Sequence, residues 1–323
     1  MIVSITHRSD FDGIASGALI VRYAALHRKS PFLVYLKDYG DKENVIEEGL
    51  FKLTNCKLYI ADLSTSFKHF NEVVKRIRRL RCGEIYWFDH HPTSNENLDK
   101  LKELGVKLDI RPGFSSSAII VYENLYSKSG IEDEIARKIA DYADDIDSWR
   151  LSMPLSRDIM DLVAYYKYLD EANPLHPHLK SYLLYLSGLK DQNLVREQHK
   201  AHIEIYRKLK DRARDVISRT VEVFEIDGIN YAICYAPCYI SSSQAAEFVL
   251  DSVKAQVAIV VKEEGTGSVR RRGDVDVSKI ARLFEGGGHP YAAGMRLKEG
   301  KIDLVEYPKF VELIKNKLRE LHL

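Results

Sequence analysis

Cysteine is scarce in this 323-residue chain: Cys56, Cys82, Cys234 and Cys238 are its four thiols, and they lack the paired spacing of a zinc finger. The first residues read as a strand rather than a secretory leader, so the expectation is a cytoplasmic protein with reduced thiols. No apolar run approaches the length of a membrane span, so no membrane partner is expected. Excess charge is missing too. Lys and Arg number 48 against 47 Asp and Glu, a formal net charge of +1, so there is no strong global attraction to polyanions of the kind a duplex-coating protein has, and any nucleic-acid contact is expected to be local. Low-complexity tracts are absent, and with 45% hydrophobic and 29% charged residues the chain can bury sizeable cores. Its length suggests two domains rather than one.

The informative stretches are those where an apolar run stops in an acid. Residues 84–88 (EIYWF) end in Asp89-His90-His91, residues 1–6 (MIVSIT) break into His7-Arg8-Ser9-Asp10-Phe11-Asp12-Gly13, and residues 57–61 (KLYIA) break into Asp62. In an open parallel α/β sheet the ligand crevice lies at the carboxyl ends of the strands, so three such ends would gather His7, Asp10, Asp12, Asp62, Asp89 and His90. Carboxylates and imidazoles together suit Mn²⁺, Fe²⁺ or Zn²⁺. An acid before a helix can also be a plain N-cap, which for Asp12 is the competing explanation.

The first half of the chain alternates. Helical spacing over 14–28, 41–53, 67–81 and 95–104 separates strand-like runs at 32–36, 57–61, 84–88 and 106–110, which predicts βαβ crossovers and a mostly parallel sheet. Residues 115–126 and 134–146 read as two further helices, the second ending in Asp144-Asp145-Ile146-Asp147. Asp147 flanks its apolar face and is the better candidate to reach a site, whereas Asp144 is expected in solvent. Residues 150–220 carry little signal beyond a long polar helix over 192–219, on which His199 and His202 read as solvated.

From residue 221 a second α/β pattern begins, with strands at 221–226, 229–235 and 257–261 and helices near 243–253 and 277–284. Arg270 lies in the run Gly267 to Gly273, and Gly286-Gly287-Gly288-His289 precedes Pro290-Tyr291-Ala292-Ala293-Gly294. Three glycines can present backbone amides to an anion. Tyr239 and Tyr291 could stack on a base or serve the core, and Ser241 to Ser243 could cap a helix or meet a ligand.

Ser9-Asp10-Phe11-Asp12-Gly13, Ala61-Asp62, Asp89-His90-His91 and Asp147-Ser148-Trp149 resemble, in order, the four motifs of the DHH phosphoesterases. That family includes RecJ-type nucleases, nanoRNases, cyclic-dinucleotide phosphodiesterases and family II pyrophosphatases, and the glycine-rich stretch resembles its DHHA1 domain. The resemblance implies an N-terminal DHH domain (1–185), a helical linker (186–220) and a C-terminal DHHA1 domain (221–323), all α/β apart from the linker. It implies two Mn²⁺ ions, with Mg²⁺ or Co²⁺ as substitutes. One ion would be held by His7, Asp10 and Asp62, the other by Asp12, Asp62, His90 and Asp147, with His91 contacting the scissile phosphate. His7 departs from the family in its distance from Asp10, so Arg8 or Ser9 could take its place.

Two adjacent divalent cations would neutralise a phosphodiester and lower the pKa of water, while Asp89 is placed to orient an imidazole rather than to ligate. The expected function is hydrolysis of short single-stranded RNA or DNA oligonucleotides or dinucleotides to nucleoside monophosphates. Arg270, Gly286, Gly287, Gly288 and His289 would bind the substrate in a cleft between the domains, and a homodimer is allowed. The alternatives are a RecJ-like exonuclease on single-stranded DNA, a phosphoesterase on cyclic dinucleotides or phosphoadenosine phosphate, and a nucleotide-binding module without activity.

Overall fold

The structure is a computed structural model and describes residues 1–26, 31–38, 45–65, 70–113 and 116–321. It divides into two compact units, Met1–Ile203 and Glu204–Leu323.

In the first unit β1 (Ile2–His7), β2 (Phe32–Lys37), β3 (Lys57–Ala61), β4 (Glu84–Asp89) and β5 (Lys107–Ile110) form one sheet in the order β2-β1-β3-β4-β5, every pair parallel. Strands buried on both faces need apolar residues at successive positions, and β1 has all six residues buried. Ile2, Tyr59, Ala61 and Phe88 point to one side, where they meet α1 (Phe11–Leu26), α4 (Ser117–Leu125), α5 (Glu134–Asp147), α6 (Ser156–Asp170) and α7 (Pro177–Ser187). Val3, Ile5, Leu58, Ile60 and Trp87 point to the other, against α2 (Phe70–Ile77) and α3 (Asn95–Glu103).

Three expectations change. The helix read over 41–53 is, within the described residues, a single 3₁₀ turn, Glu48–Lys52; residues 41–44 lie outside them. The basic helix read over 67–81 is α2, which closes when Arg79 and Leu80 bond three residues back to Arg76 and Ile77; residues 67–69 lie outside the described set. Cys56 and Cys82 form a disulfide with Cα atoms 4.5 Å apart, so the thiols are not all reduced. Sequence spacing hides this pair because the crossover brings it together. Each cysteine stands just before its strand, Lys57 pairs with Glu84 in register, and the Gly83 N–H donates to Cys56 O at 2.9 Å. Cys234 and Cys238 are free.

Residues 150–190, silent in sequence, supply two helices. Pro177 opens α7, and buried Asp170 at the end of α6 accepts the Leu179 N–H at 2.9 Å, capping the next helix. α8 (Glu197–Thr220) is the expected long polar helix, and the division between the units falls inside it. His199 is buried rather than solvated: it packs edge-on against Tyr182 and Tyr185, and its Nδ1 accepts the Arg196 N–H at 3.3 Å. His202 is partly covered and shares a 2.9 Å hydrogen bond with the Tyr166 hydroxyl.

The second unit has β6 (Glu222–Ile226), β7 (Ile229–Ala236), β8 (Val257–Lys262), β9 (Thr266–Arg271), β10 (Gly287–His289) and β11 (Ala292–Arg296) in the order β10-β11-β9-β8-β7-β6. Only β7 and β8 pair in parallel. Ile233, Ile259 and Val269 face α10 (Val277–Arg282) and α11 (Tyr307–Arg319), while Ala232, Cys234 and Val260 face α9 (Ser242–Ser252) and the Ala213 and Ile217 side of α8. No helix among the described residues is long and apolar enough to cross a membrane.

Candidate metal centre

Because β1, β3 and β4 are neighbours and parallel, their carboxyl ends lie side by side, and the residues that follow them are forced together. The turn after β1 is tight. Asp10 Oδ1 accepts the Gly13 N–H at 3.2 Å and so caps α1, while a Cβ on Gly13 would sit 2.1 Å from the His7 carbonyl oxygen. The cap is therefore Asp10, not Asp12. Asp12 is buried in the first turn of α1 and accepts the Ser117 and Ala118 N–H groups of α4 at 2.7 and 2.8 Å.

Asp62 stands at the middle of the cluster, in left-handed backbone with φ 58°. Its Oδ2 is 3.6 Å from His7 Nδ1, and its Oδ1 is 3.5 Å from His90 Nε2 and accepts the Ser117 hydroxyl at 3.2 Å. His7 Nδ1 also lies 3.1 Å from Asp10. His90 Nε2 is 3.8 Å from Asp12, and its Nδ1 is 3.7 Å from Asp147 at the end of α5. Two triads result, His7 with Asp10 and Asp62, and Asp12 with His90 and Asp147; in each, one ligand atom per residue lies within 4.8 Å of the others. A third group, Asp62 with His90 and His91, overlaps them. Asp89, wholly buried, bonds His91 Nδ1 at 2.8 Å.

The electrostatics ask for positive charge. Burial, with Asp62 and Asp147 close by, raises the Asp12 carboxyl well above the usual range. Asp147 is exposed at its edge, yet the protein packed around its carboxyl lifts it to about 7, with Asp10 and Asp62 adding to this against the pull of His90. Burial opposes the charged imidazole of His90, yet Asp62, Asp12 and Asp147 raise it to about 11. His7 is likewise held well above its ordinary value by Asp10, Asp38 and Asp62 in spite of burial. Protons thus collect where the acids crowd, which is the work a divalent cation would do. Asp62 Oδ2 is buried without a hydrogen-bond partner among the described residues, an orphaned acceptor that a cation would satisfy. The donor set of carboxylates and imidazoles therefore fits divalent transition metals.

Sequence reasoning missed two participants. Asp38 follows β2 and lies 3.5 Å from His7 Nε2; it also accepts the Ser9 hydroxyl at 2.6 Å, and that hydroxyl receives Lys167 Nζ at 2.9 Å. The signal was present, since β2 is a fourth strand ending in an acid. Asp145, buried beside Asp147, ties the loop after α5 by accepting Ser152 N–H, Ser152 Oγ and Met153 N–H at 3.1, 2.6 and 3.0 Å. Asp144 is partly buried and paired with Arg150 rather than simply solvated.

In the second unit the glycine run is not a loop. Gly287 and Gly288 begin an antiparallel hairpin, and glycine is required by the neighbouring strand: a Cβ on Gly286 would meet Gly294 O at 2.1 Å, and one on Gly288, at φ 145°, would meet Ala292 O at 2.7 Å. Register then aligns His289, Ala292 and Arg270 across three strands, with the small alanine in the middle. Arg270 donates to Val269 O at 3.0 Å and to Ser243 Oγ at 3.2 Å, and burial lowers its pKa to about 10. Ser241 caps α9 through the Gln244 N–H. His289 stacks on the exposed ring of Tyr291, centroids 5.1 Å apart.

No curated protein matches the chain. Among solved structures, a pGpG-specific phosphodiesterase from Vibrio cholerae is 15% identical, with a TM-score of 0.52 and 98% of each chain covered. An exopolyphosphatase-related protein from Bacteroides fragilis is also 15% identical, with a TM-score of 0.55 and coverage of 99% of this chain and 92% of that one. RecJ in complex with Mn²⁺ from Thermus thermophilus is 14% identical with a TM-score of 0.58; 99% of this chain is covered, but it spans only about half of RecJ, 52%. These likenesses establish the fold. Residues 238–320 match the DHHA1 domain. The second unit thus carries a match to the DHHA1 domain, and the chain as a whole has the fold shared by RecJ and the pGpG-specific phosphodiesterase.

Proposed function

We propose that the chain is a Mn²⁺-dependent phosphodiesterase that hydrolyses short oligonucleotides to nucleoside monophosphates, using two cations. The carrying observation is Asp62, whose two carboxylate oxygens face different imidazoles: Oδ2 faces His7 of its own triad, and Oδ1 faces His90, the histidine of the other. On this reading His7, Asp10 and Asp62 hold one ion, and Asp12, Asp62, His90 and Asp147 the other. Bound there, divalent cations supply Lewis acidity and lower the pKa of water. His91, oriented by Asp89 and partly exposed, donates to a phosphate oxygen or to the leaving group. Arg270 and His289, aligned by strand register, hold the terminal phosphate or nucleoside.

Near-neutral charge supports a short substrate, because a long strand gains affinity from many phosphates meeting a basic channel. The test is purified protein with Mn²⁺ against RNA and DNA from dimer to about 24 nucleotides, cyclic dinucleotides and pyrophosphate. Efficiency should peak at a few nucleotides with a shallow salt dependence. Efficiency that climbs with length on DNA would replace this reading with a RecJ-like exonuclease, and turnover of pyrophosphate alone would remove nucleic acid from it.

A further inference from the structure

The loop that leaves α5 at Asp147 carries a strained aromatic that the metal centre does not use. Trp149 has φ 58° and Leu151 φ 51°, left-handed backbone that bulky residues seldom adopt. The loop is fastened so that this strain persists. Trp149 N–H donates to Ile146 O at 3.0 Å, Leu151 N–H donates to Asp145 O at 3.2 Å, and the Asp145 carboxylate holds Ser152, Met153 and Ser156. Backbone held this way usually marks a position where something is being presented.

What is presented is the indole. Leu151 packs against the core of its unit, whereas Trp149 is 40% exposed and makes no side-chain hydrogen bond or ring contact among the described residues. The other tryptophan, Trp87, is wholly buried and donates to Leu63 O at 2.9 Å. Trp149 follows Asp147 by two residues, so their Cα atoms are at most roughly 7 Å apart. Its chain neighbours Asp147, Ser148 and Arg150 are exposed and polar, so the ring is not the centre of a local apolar strip of the kind a protein partner buries.

We infer that Trp149 is a stacking platform for a nucleobase of the substrate whose phosphate lies at the metal centre. This rests on the phosphodiesterase reading above and adds a contact that reads bases without choosing among them, since every base offers a π-face. It makes the loop after Asp147 a determinant of nucleotide over simple phosphodiester substrates.

The experiment compares the Mn²⁺-loaded enzyme on a dinucleotide and on the same two-sugar phosphodiester without bases. Trp149→Gly and Trp149→Leu should each lower the ratio of kcat/KM for the dinucleotide to that for the abasic analogue by roughly 5- to 100-fold, mostly through KM. Trp149→Phe should keep most of it. Trp149→Gly also relieves the positive φ, so its thermal midpoint should not fall. An unchanged ratio, or the same loss with Phe as with Leu, overturns the inference. Independently of turnover, adenosine in EDTA, which brings no phosphate to the acidic centre, should quench the tryptophan emission of the wild type and leave that of Trp149→Phe, which retains Trp87 alone, unaltered. Absence of quenching also overturns it. Quenching in a protein that cleaves neither substrate would instead sink the phosphodiesterase reading and leave the platform standing.

Discussion

Asp38 Oδ1 lies 3.5 Å from Nε2 of His7, while Nδ1 of the same ring faces Asp10 and Asp62. One nitrogen is thus turned toward the centre and the other toward a carboxylate that His7, Lys167 and Ser9 keep ionised in spite of burial. A carboxylate behind a ligating imidazole fixes its tautomer and raises its basicity. Asp38→Asn should weaken Mn²⁺ binding by roughly 10- to 100-fold with the fold intact. Calorimetric titration of the ion checks this, and an unchanged Kd would leave Asp38 a structural partner of residues such as Ser9 and Arg8.

Asp62→Ala should be the most damaging change at the centre, costing more than the roughly 10- to 100-fold expected for a residue outside the ligand set. Turnover and metal stoichiometry are measured together: two ions per chain in the wild type and fewer in the variant. Retained turnover, or two tightly bound ions, would remove Asp62 from its bridging role.

His199 gives a pH dependence away from the metal. Burial, with Arg196 and His202 near, lowers its pKa from 6.5 to about 4, and its Nδ1 is occupied in accepting a backbone N–H. The unfolded chain binds a proton near 6.5 that the folded chain refuses until about 4. Stability should therefore decline as pH falls across that window and level off below it. His199→Gln, compared with wild type by thermal unfolding from pH 7.5 to 4, should flatten the decline; parallel curves would mean that His199 does not carry it.

The Cys56–Cys82 bridge closes a loop of 26 residues, for which chain entropy gives about 3–4 kcal/mol of stabilisation. Thiol titration of denatured, unreduced protein should find two free thiols, those of Cys234 and Cys238, and reductant should lower the unfolding midpoint. Four free thiols in freshly purified protein would contradict the bridge.

Arg270→Ala should weaken dinucleotide binding by about 1–3 kcal/mol, the worth of a lost charge-assisted contact. A small phosphodiester that makes no contact with Arg270 should be hydrolysed almost as before. An equal loss on both would mean that Arg270 acts by tying the strand of Ala293 to the start of α9 at Ser243 rather than by meeting substrate.

The parallel sheet was legible because strands buried on both faces write near-continuous apolar runs, and the acids after β1, β3 and β4 interrupt them sharply. Other features depend on contacts distant in sequence and leave no periodic trace. Asp12 meets α4 across 105 residues, and Cys56 meets Cys82 only after a crossover. His199 looked polar because its helix is; the tyrosines that bury it come from α7. The Gly286 to Gly288 run suggested an open anion nest because glycine permits close approach, but what approaches Gly286 and Gly288 is the neighbouring strand.

Gly13 carries one more implication. Its missing side chain leaves just the room that the His7 carbonyl occupies, and every one of the other nineteen amino acids would bring a Cβ into that space, 2.1 Å from the oxygen. A single-base change in a glycine codon yields residues such as Ala, Ser, Val, Asp or Arg, none of which escapes the collision. The position is therefore closed to gradual drift: this loop can be remodelled only if His7 and Gly13 move together, so descendants of this chain must keep the turn whole or lose it in one step.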